Sequence, residues 1–201
     1  MRYCKDGKLF NFLHIPRTGG RFVAEILINN GYEAVDACYA NCLYTKDYKT
    51  LREIIHLDYK QSRILYGDGL TSFTIMRDPI QRFLSGISKI PNISLDELED
   101  WNKFVWFMEE WEFVNIRPSK GLYNSFNSWF VHQYHWIGNN VHVWKYEDGF
   151  ESTFKQWLYD QVGLTLTQVQ VSNIPQHSAS EMLCNNIANY YADDYAIYNK
   201  L

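Results

Sequence analysis

The chain has 201 residues, 46% of them apolar and 21% charged, with a net charge of −4. That size suits one domain with a sizeable core, and the composition excludes a disordered or low-complexity chain. The slight acidic excess argues against nucleic-acid binding, whose footprint is a basic surplus, and no apolar run reaches membrane-spanning length.

The opening residues Met1 to Gly7 carry no secretory h-region, so a soluble, cytoplasmic protein is expected. The four cysteines, Cys4, Cys38, Cys42 and Cys184, form no CxxC pair. Cys38 and Cys42 could share a helix face, but no companion His or Cys stands near them, so reduced thiols are expected and a metal site is not.

Leu9 to Ile15 reads as a strand, and Pro16-Arg17-Thr18-Gly19-Gly20-Arg21 follows as a tight turn. A helix is expected from Gly20 to Asn30, with Val23, Ile26 and Leu27 on one face and Gly31 as its stop. A short strand is expected from Tyr32 to Ala37. Over 47–56 a helix is expected, because Tyr48, Leu51, Ile54 and Ile55 recur at helical spacing. Arg63 to Tyr66 and Ser72 to Met76 are short apolar runs, the first ending in Gly67-Asp68-Gly69.

After Arg77, Asp78 is a good N-cap, and Pro79 takes the first helical position, where its missing N–H is harmless. Leu95 to Trp111 and Leu122 to Trp136 read as two helices of an insert rich in aromatic and acidic residues. Val141 to Trp144 is a late strand, followed by Lys145-Tyr146-Glu147-Asp148 and a helix to about Val162. Ser178 to Leu201 reads as a packing helix. Strands alternating with helices imply a single α/β domain over 1–201, with a central parallel sheet and right-handed crossovers. Ligands of such sheets bind beyond the carboxyl ends of the strands, where both Arg-bearing turns would lie.

Each of those turns has the order strand, turn, helix start. Backbone N–H groups at a helix start attract anions, and an arginine there adds a fixed charge and a bidentate fork. The first turn is not the GxxxxGK[ST] loop of nucleoside triphosphatases, because no Lys-Ser/Thr pair is present to hold a β-phosphate and magnesium. Taken alone, it reads equally as a strand-to-helix turn with a solvated arginine. The second alone reads as a well-capped helix with exposed arginines.

His14-Ile15-Pro16-Arg17-Thr18-Gly19-Gly20 resembles the 5′-phosphosulfate loop of sulfotransferases, especially the carbohydrate type that includes the heparan sulfate 2-O- and 6-O-enzymes. Those enzymes take a sulfuryl group from 3′-phosphoadenosine 5′-phosphosulfate. Arg17 stands where their loop usually has lysine, and Arg21 and Phe22 stand where Ser or Thr commonly follows the glycines. Arg77-Asp78-Pro79-x-x-Arg82-Phe83-x-Ser85 is similar to the same family's 3′-phosphate motif, RDPxxRxxS, and is the more specific match. Phe130 to Tyr134, Val141 to Glu147 and Tyr191 to Tyr195 resemble that family's later region and closing helix.

The resemblance implies a three-layer, P-loop-like domain with helices flanking its sheet, the phosphosulfate donor as co-substrate, no metal, and a hydroxyl acceptor, favouring a glycan. It implies donor contacts from Arg17, Thr18, Gly19, Gly20, Arg21 and Phe22 at the phosphosulfate end. Arg77 and Ser85 would converge on the 3′-phosphate, with Arg82 bracing the loop through Asp78. Sulfuryl transfer itself needs in-line attack, a base and positive charge. Arg17 can supply charge only, since arginine keeps its proton.

His56 is the first candidate for the base. Histidine titrates near neutrality, and its place between the two loops resembles that of the catalytic histidine in the heparan sulfate enzymes. A structural histidine after a helix is the competing reading. Asp68 is the second candidate, although Gly-Asp-Gly equally makes a turn. His14 is expected behind the first loop, and His177, after Pro175, over the nucleotide. Two other functions fit the same residues: a nucleotide kinase with a degenerate P-loop, or a non-catalytic module that binds a nucleotide or glycan.

Overall fold

The computed structural model describes residues 1–35, 56–116, 129–169 and 175–201, the side chains of 111–116 excepted. Strands β1 (Arg2–Lys5) and β2 (Lys8–Leu13) form a hairpin. Its turn is Asp6-Gly7, with φ of 51° and 76°. A two-residue hairpin turn of this kind requires two left-handed residues, and Asp-Gly supplies them with little strain. Then come helix α1 (Gly20–Asn29), strand β3 (Glu33–Ala34), helix α2 (Tyr59–Tyr66), strand β4 (Ser72–Met76) and helix α3 (Pro79–Ile87).

A 3₁₀ turn at Asp96–Glu99 leads into helix α4 (Trp101–Ile116). A second 3₁₀ turn, Gln133–Trp136, precedes strand β5 (Val141–Lys145). Helix α5 (Ser152–Trp157) continues as a π turn over Leu158–Val162. The chain closes on α6 (Glu181–Tyr190) and α7 (Ala192–Tyr198).

The described strands form one sheet in the order β3-β1-β2-β4-β5. β2, β4 and β5 are parallel, as expected, but β1 pairs antiparallel with both β2 and β3, so the sheet is mixed. The reason is the turn: a two-residue connection can only join antiparallel neighbours. Leu13, Thr74 and Val143 share one row, which brings the carboxyl ends of the three parallel strands to one edge.

Alternation along the strands divides the core. Phe10, Phe12, Phe73, Ile75 and Trp144 pack under α1 and α5 on one face. Leu13 and Ile15 pack on the other face with Trp136 and Tyr59. A further cluster joins Phe83, Leu84 and Ile87 of α3 to Phe104 and Met108 of α4 and to Leu183 and Ile187 of α6.

Arg63 to Tyr66 is the last turn of α2 and not a run of its own. Asp58 and Gln61 start that helix with a reciprocal capping box. The expected closing helix breaks at Tyr191 into α6 and α7. The strand expected over Tyr32 to Ala37 is confirmed only for Glu33–Ala34, among the described residues. The helix expected over 47–56, its last residue excepted, and the pair Cys38 and Cys42 lie outside the described residues, as do residues 122–128 of the helix expected from Leu122 to Trp136. The described remainder, 129–136, is not an α-helix but a loop ending in the 3₁₀ turn Gln133–Trp136. Among the described residues, no helix is long and apolar enough to cross a membrane.

Candidate functional site

Both Arg-bearing loops lie at the carboxyl edge of the parallel strands. Thr18 is fully buried, and its hydroxyl donates to the Ile15 carbonyl at 2.8 Å. That bond fixes the turn and points the hydroxyl inward. Gly19 sits at the start of α1 with φ of 81°, and no side chain caps the helix. A Cβ on Gly19 would meet the Tyr146 ring at 2.7 Å, and one on Gly20 would run into the His14 imidazole. The two glycines therefore let the helix start press against Tyr146 and His14. Gly20→Ala is expected to destabilise the fold by about 1–3 kcal/mol through overpacking, measured by chemical denaturation.

Arg17 also has a left-handed backbone, with φ of 70°. For a residue with a Cβ, that conformation is strained and persists only when its surroundings fix it. They do: Nη2 donates to the carbonyl of Ser85 at 2.7 Å and to its hydroxyl at 2.8 Å, and the guanidinium lies 5.0 Å over the Trp129 ring.

On the second loop, Arg77 is gripped at its backbone by Gln133. The Arg77 N–H donates to Gln133 Oε1 (3.1 Å), and Gln133 Nε2 donates back to the Arg77 carbonyl (2.8 Å). The buried guanidinium lies 4.6 Å over the Tyr146 ring. Its Nη2 donates to the Pro175 carbonyl at 2.8 Å, and Nη1 reaches the Arg17 carbonyl at 3.4 Å.

Asp78 caps α3 as expected, accepting from the Gln81 N–H at 2.9 Å. Its other oxygen accepts from the Tyr195 hydroxyl. The groups that oppose the lowering of the Arg82 pKa by burial are Tyr191 and Asp194. Arg82 donates from Nε to the Pro16 carbonyl (3.0 Å) and from Nη1 to the Val131 carbonyl (2.8 Å).

The two loops therefore interlock. Arg17 reaches Ser85 on α3, Arg77 reaches the main chain of Arg17, and Arg82 reaches Pro16. Arg77 and Ser85 are linked through Arg17, which stands between them. Burial, then the neighbouring guanidiniums of Arg77 and Arg21, press the Arg17 pKa below its ordinary value. Burial does the same to Arg77, against the opposing pull of Tyr146 and Glu147. The Nε atoms of Arg17 and Arg77 are buried and have no hydrogen-bond partner among the described residues. Buried like charges with unused donors suit a multiply charged oxyanion.

Glu147 is the nearest carboxylate, 4.0 Å from Arg77 Nε. It accepts from the Asp78 N–H (3.1 Å) and the Tyr198 hydroxyl (2.9 Å), and burial raises its pKa. Arg21 is exposed beside this cluster, and Phe22 turns edge-on to Phe150 in the core.

The candidate bases are separated by the fold. The His56 ring lies 4.9 Å from that of His14. His14 is buried against Gly20, and its Nδ1 has no hydrogen-bond partner among the described residues. Burial first, then the charge of His56, hold the His14 pKa well below the usual histidine range, so it stays neutral. His56 is thus joined to the first loop through His14. Asp68 is not. It is exposed and ion-paired with Arg63, lining a shallow depression with Asn11, Ser72 and Asn140. Ser72 and Asn140 mark the amino ends of β4 and β5, the opposite edge of the sheet.

Gln133, Gln81 and the tyrosines of α7 are parts of the site that the sequence reading left without a role. Among the described residues no group of His, Cys, Asp and Glu is arranged to hold a metal ion. Comparison of the chain with family models, with curated proteins and with solved structures found no match.

Proposed function

We propose that this chain is a sulfotransferase that moves a sulfuryl group from 3′-phosphoadenosine 5′-phosphosulfate to a hydroxyl, with a carbohydrate as the acceptor class. The observation that carries the reading is the interlock of Arg17, Ser85 and Arg77. Residues from two loops resembling the donor motifs meet at one edge of the sheet, with buried N–H donors to spare.

In this reading Arg77 and Ser85 hold the 3′-phosphate. Arg17 and the uncapped start of α1 carry the charge of the phosphosulfate, and Arg17 passes between the two groups as they bind. Fixed donors of this kind stabilise the bridging oxygen as the S–O bond breaks, because they need no reorganisation. His56 takes the proton from the acceptor hydroxyl as its oxygen bonds to sulfur, and adenosine 3′,5′-bisphosphate leaves. His14 stays neutral behind it and positions the ring.

Calorimetric titration with adenosine 3′,5′-bisphosphate in the absence of magnesium tests the donor site. The wild type is expected to bind, and Arg77→Ala to weaken binding roughly 100-fold or more, because a buried charge-assisted contact is lost. Magnesium-dependent ATP binding with no response to the bisphosphate would replace this reading with a kinase.

A further inference from the structure

The segment Pro175 to His177 crosses the start of α3, held there by three hydrogen bonds. Gln81 Nε2 donates to the His177 carbonyl at 2.9 Å, and the His177 N–H donates to Gln81 Oε1 at 2.8 Å. Arg77 Nη2 fixes the Pro175 carbonyl two residues earlier. One amide side chain that pairs with a residue's N–H and C=O together sets both its position and its orientation. The His177 main chain is thus fixed beside the loop that carries Arg77. Its imidazole, only partly buried, shares its surroundings with Arg77, Arg17 and Lys89.

This placement has an electrostatic consequence. Desolvation and those three cations disfavour a charge on His177. A dianion arriving at Arg77 and Ser85 reverses the local field and offers the imidazole an acceptor. We propose that His177 is a further ligand of the donor's 3′-phosphate and that it gains a proton when that phosphate binds. The inference rests on the donor reading above.

The direction of the pH dependence follows. The His177 pKa is lower in the free protein than in the complex, so the complex carries more protons. Affinity therefore rises as pH falls through the interval between the two values. Arg77 and Arg17 keep their charges throughout, and Glu147, 4.0 Å from Arg77 Nε, is present in both wild type and a His177 variant, so the difference between them reads His177.

The test is titration with adenosine 3′,5′-bisphosphate in buffers of different ionisation enthalpy, on wild type, His177→Gln and Gln81→Leu. Near neutrality the wild type is expected to take up about half a proton more than His177→Gln. From about pH 8 to about pH 6 its affinity should gain roughly five- to tenfold over that variant. Subtracting the variant removes the proton that the phosphate itself exchanges. Gln81→Leu, which keeps the imidazole but releases its backbone, should behave like His177→Gln. Wild-type binding with equal proton counts in all three proteins overturns the role of His177 and leaves the donor site standing. Failure of the wild type to bind the bisphosphate at any pH overturns the donor reading, and this inference with it.

Discussion

Arg82→Ala is expected to lower stability by about 3–5 kcal/mol and to bring the melting temperature down by roughly 10 °C. Arg82 is 2% exposed, yet it carries a full charge. Tyr191 and then Asp194 oppose the lowering of its pKa by burial. The Asp194 carboxylate accepts in turn from the N–H groups of Gln133 (2.9 Å) and Tyr134 (3.0 Å). Removing the guanidinium takes away a positive charge that interacts with buried Asp194, strips donors from the Pro16 and Val131 carbonyls, and opens a cavity. Arg82→Lys restores the charge but not the fork that reaches two carbonyls, so it should recover only part of the loss. Urea denaturation of the three proteins reads the difference. A loss below about 1 kcal/mol for Arg82→Ala would show that the bracing is incidental.

His56→Ala is the second large expectation. Turnover should fall roughly 100- to 10,000-fold while affinity for adenosine 3′,5′-bisphosphate stays within about twofold, as for loss of a general base outside the donor contacts. The assay is transfer of labelled sulfuryl to an unsulfated glycosaminoglycan, run beside calorimetry on the same protein. His14 cannot stand in as the base, because its imidazole is enclosed against Gly20 and shielded from solvent. If turnover is unchanged, His56 is a structural neighbour of His14 and the base lies elsewhere.

Features encoded within a few residues were legible in the sequence. Asp78 and Pro79 start a helix by their own chemistry, and the Gly19-Gly20 turn follows from the missing side chains. The hairpin of β1 and β2 was equally local, since Asp6-Gly7 between two short runs is a strong hairpin signal, but the sequence reading passed over it.

Other parts had no local signal. That Arg82 would turn to Pro16 and Val131 depends on which backbone carbonyls the fold leaves open nearby. Gln133 holds Arg77 across 56 positions of sequence, and no spacing rule reaches that far. Asp68 was open to two readings, a base or a simple turn. The pairing of its carboxylate with Arg63, five residues earlier in the last turn of α2, could not be read from Gly-Asp-Gly alone.

The hold of α7 on the two loops bears on how the protein is made. Both loops, within residues 14–20 and 77–85, leave the ribosome before α7. Tyr195, which completes the bonding of Asp78, follows it by 117 positions, and Asp194 follows Gln133 by 61. Closures over such distances are slow, and they cannot form before the later residues have been synthesised. The nascent chain therefore carries its arginine-rich edge incomplete until α7 has been made. The same late stretch also supplies Leu183 and Ile187 to the core, so site and core are completed together.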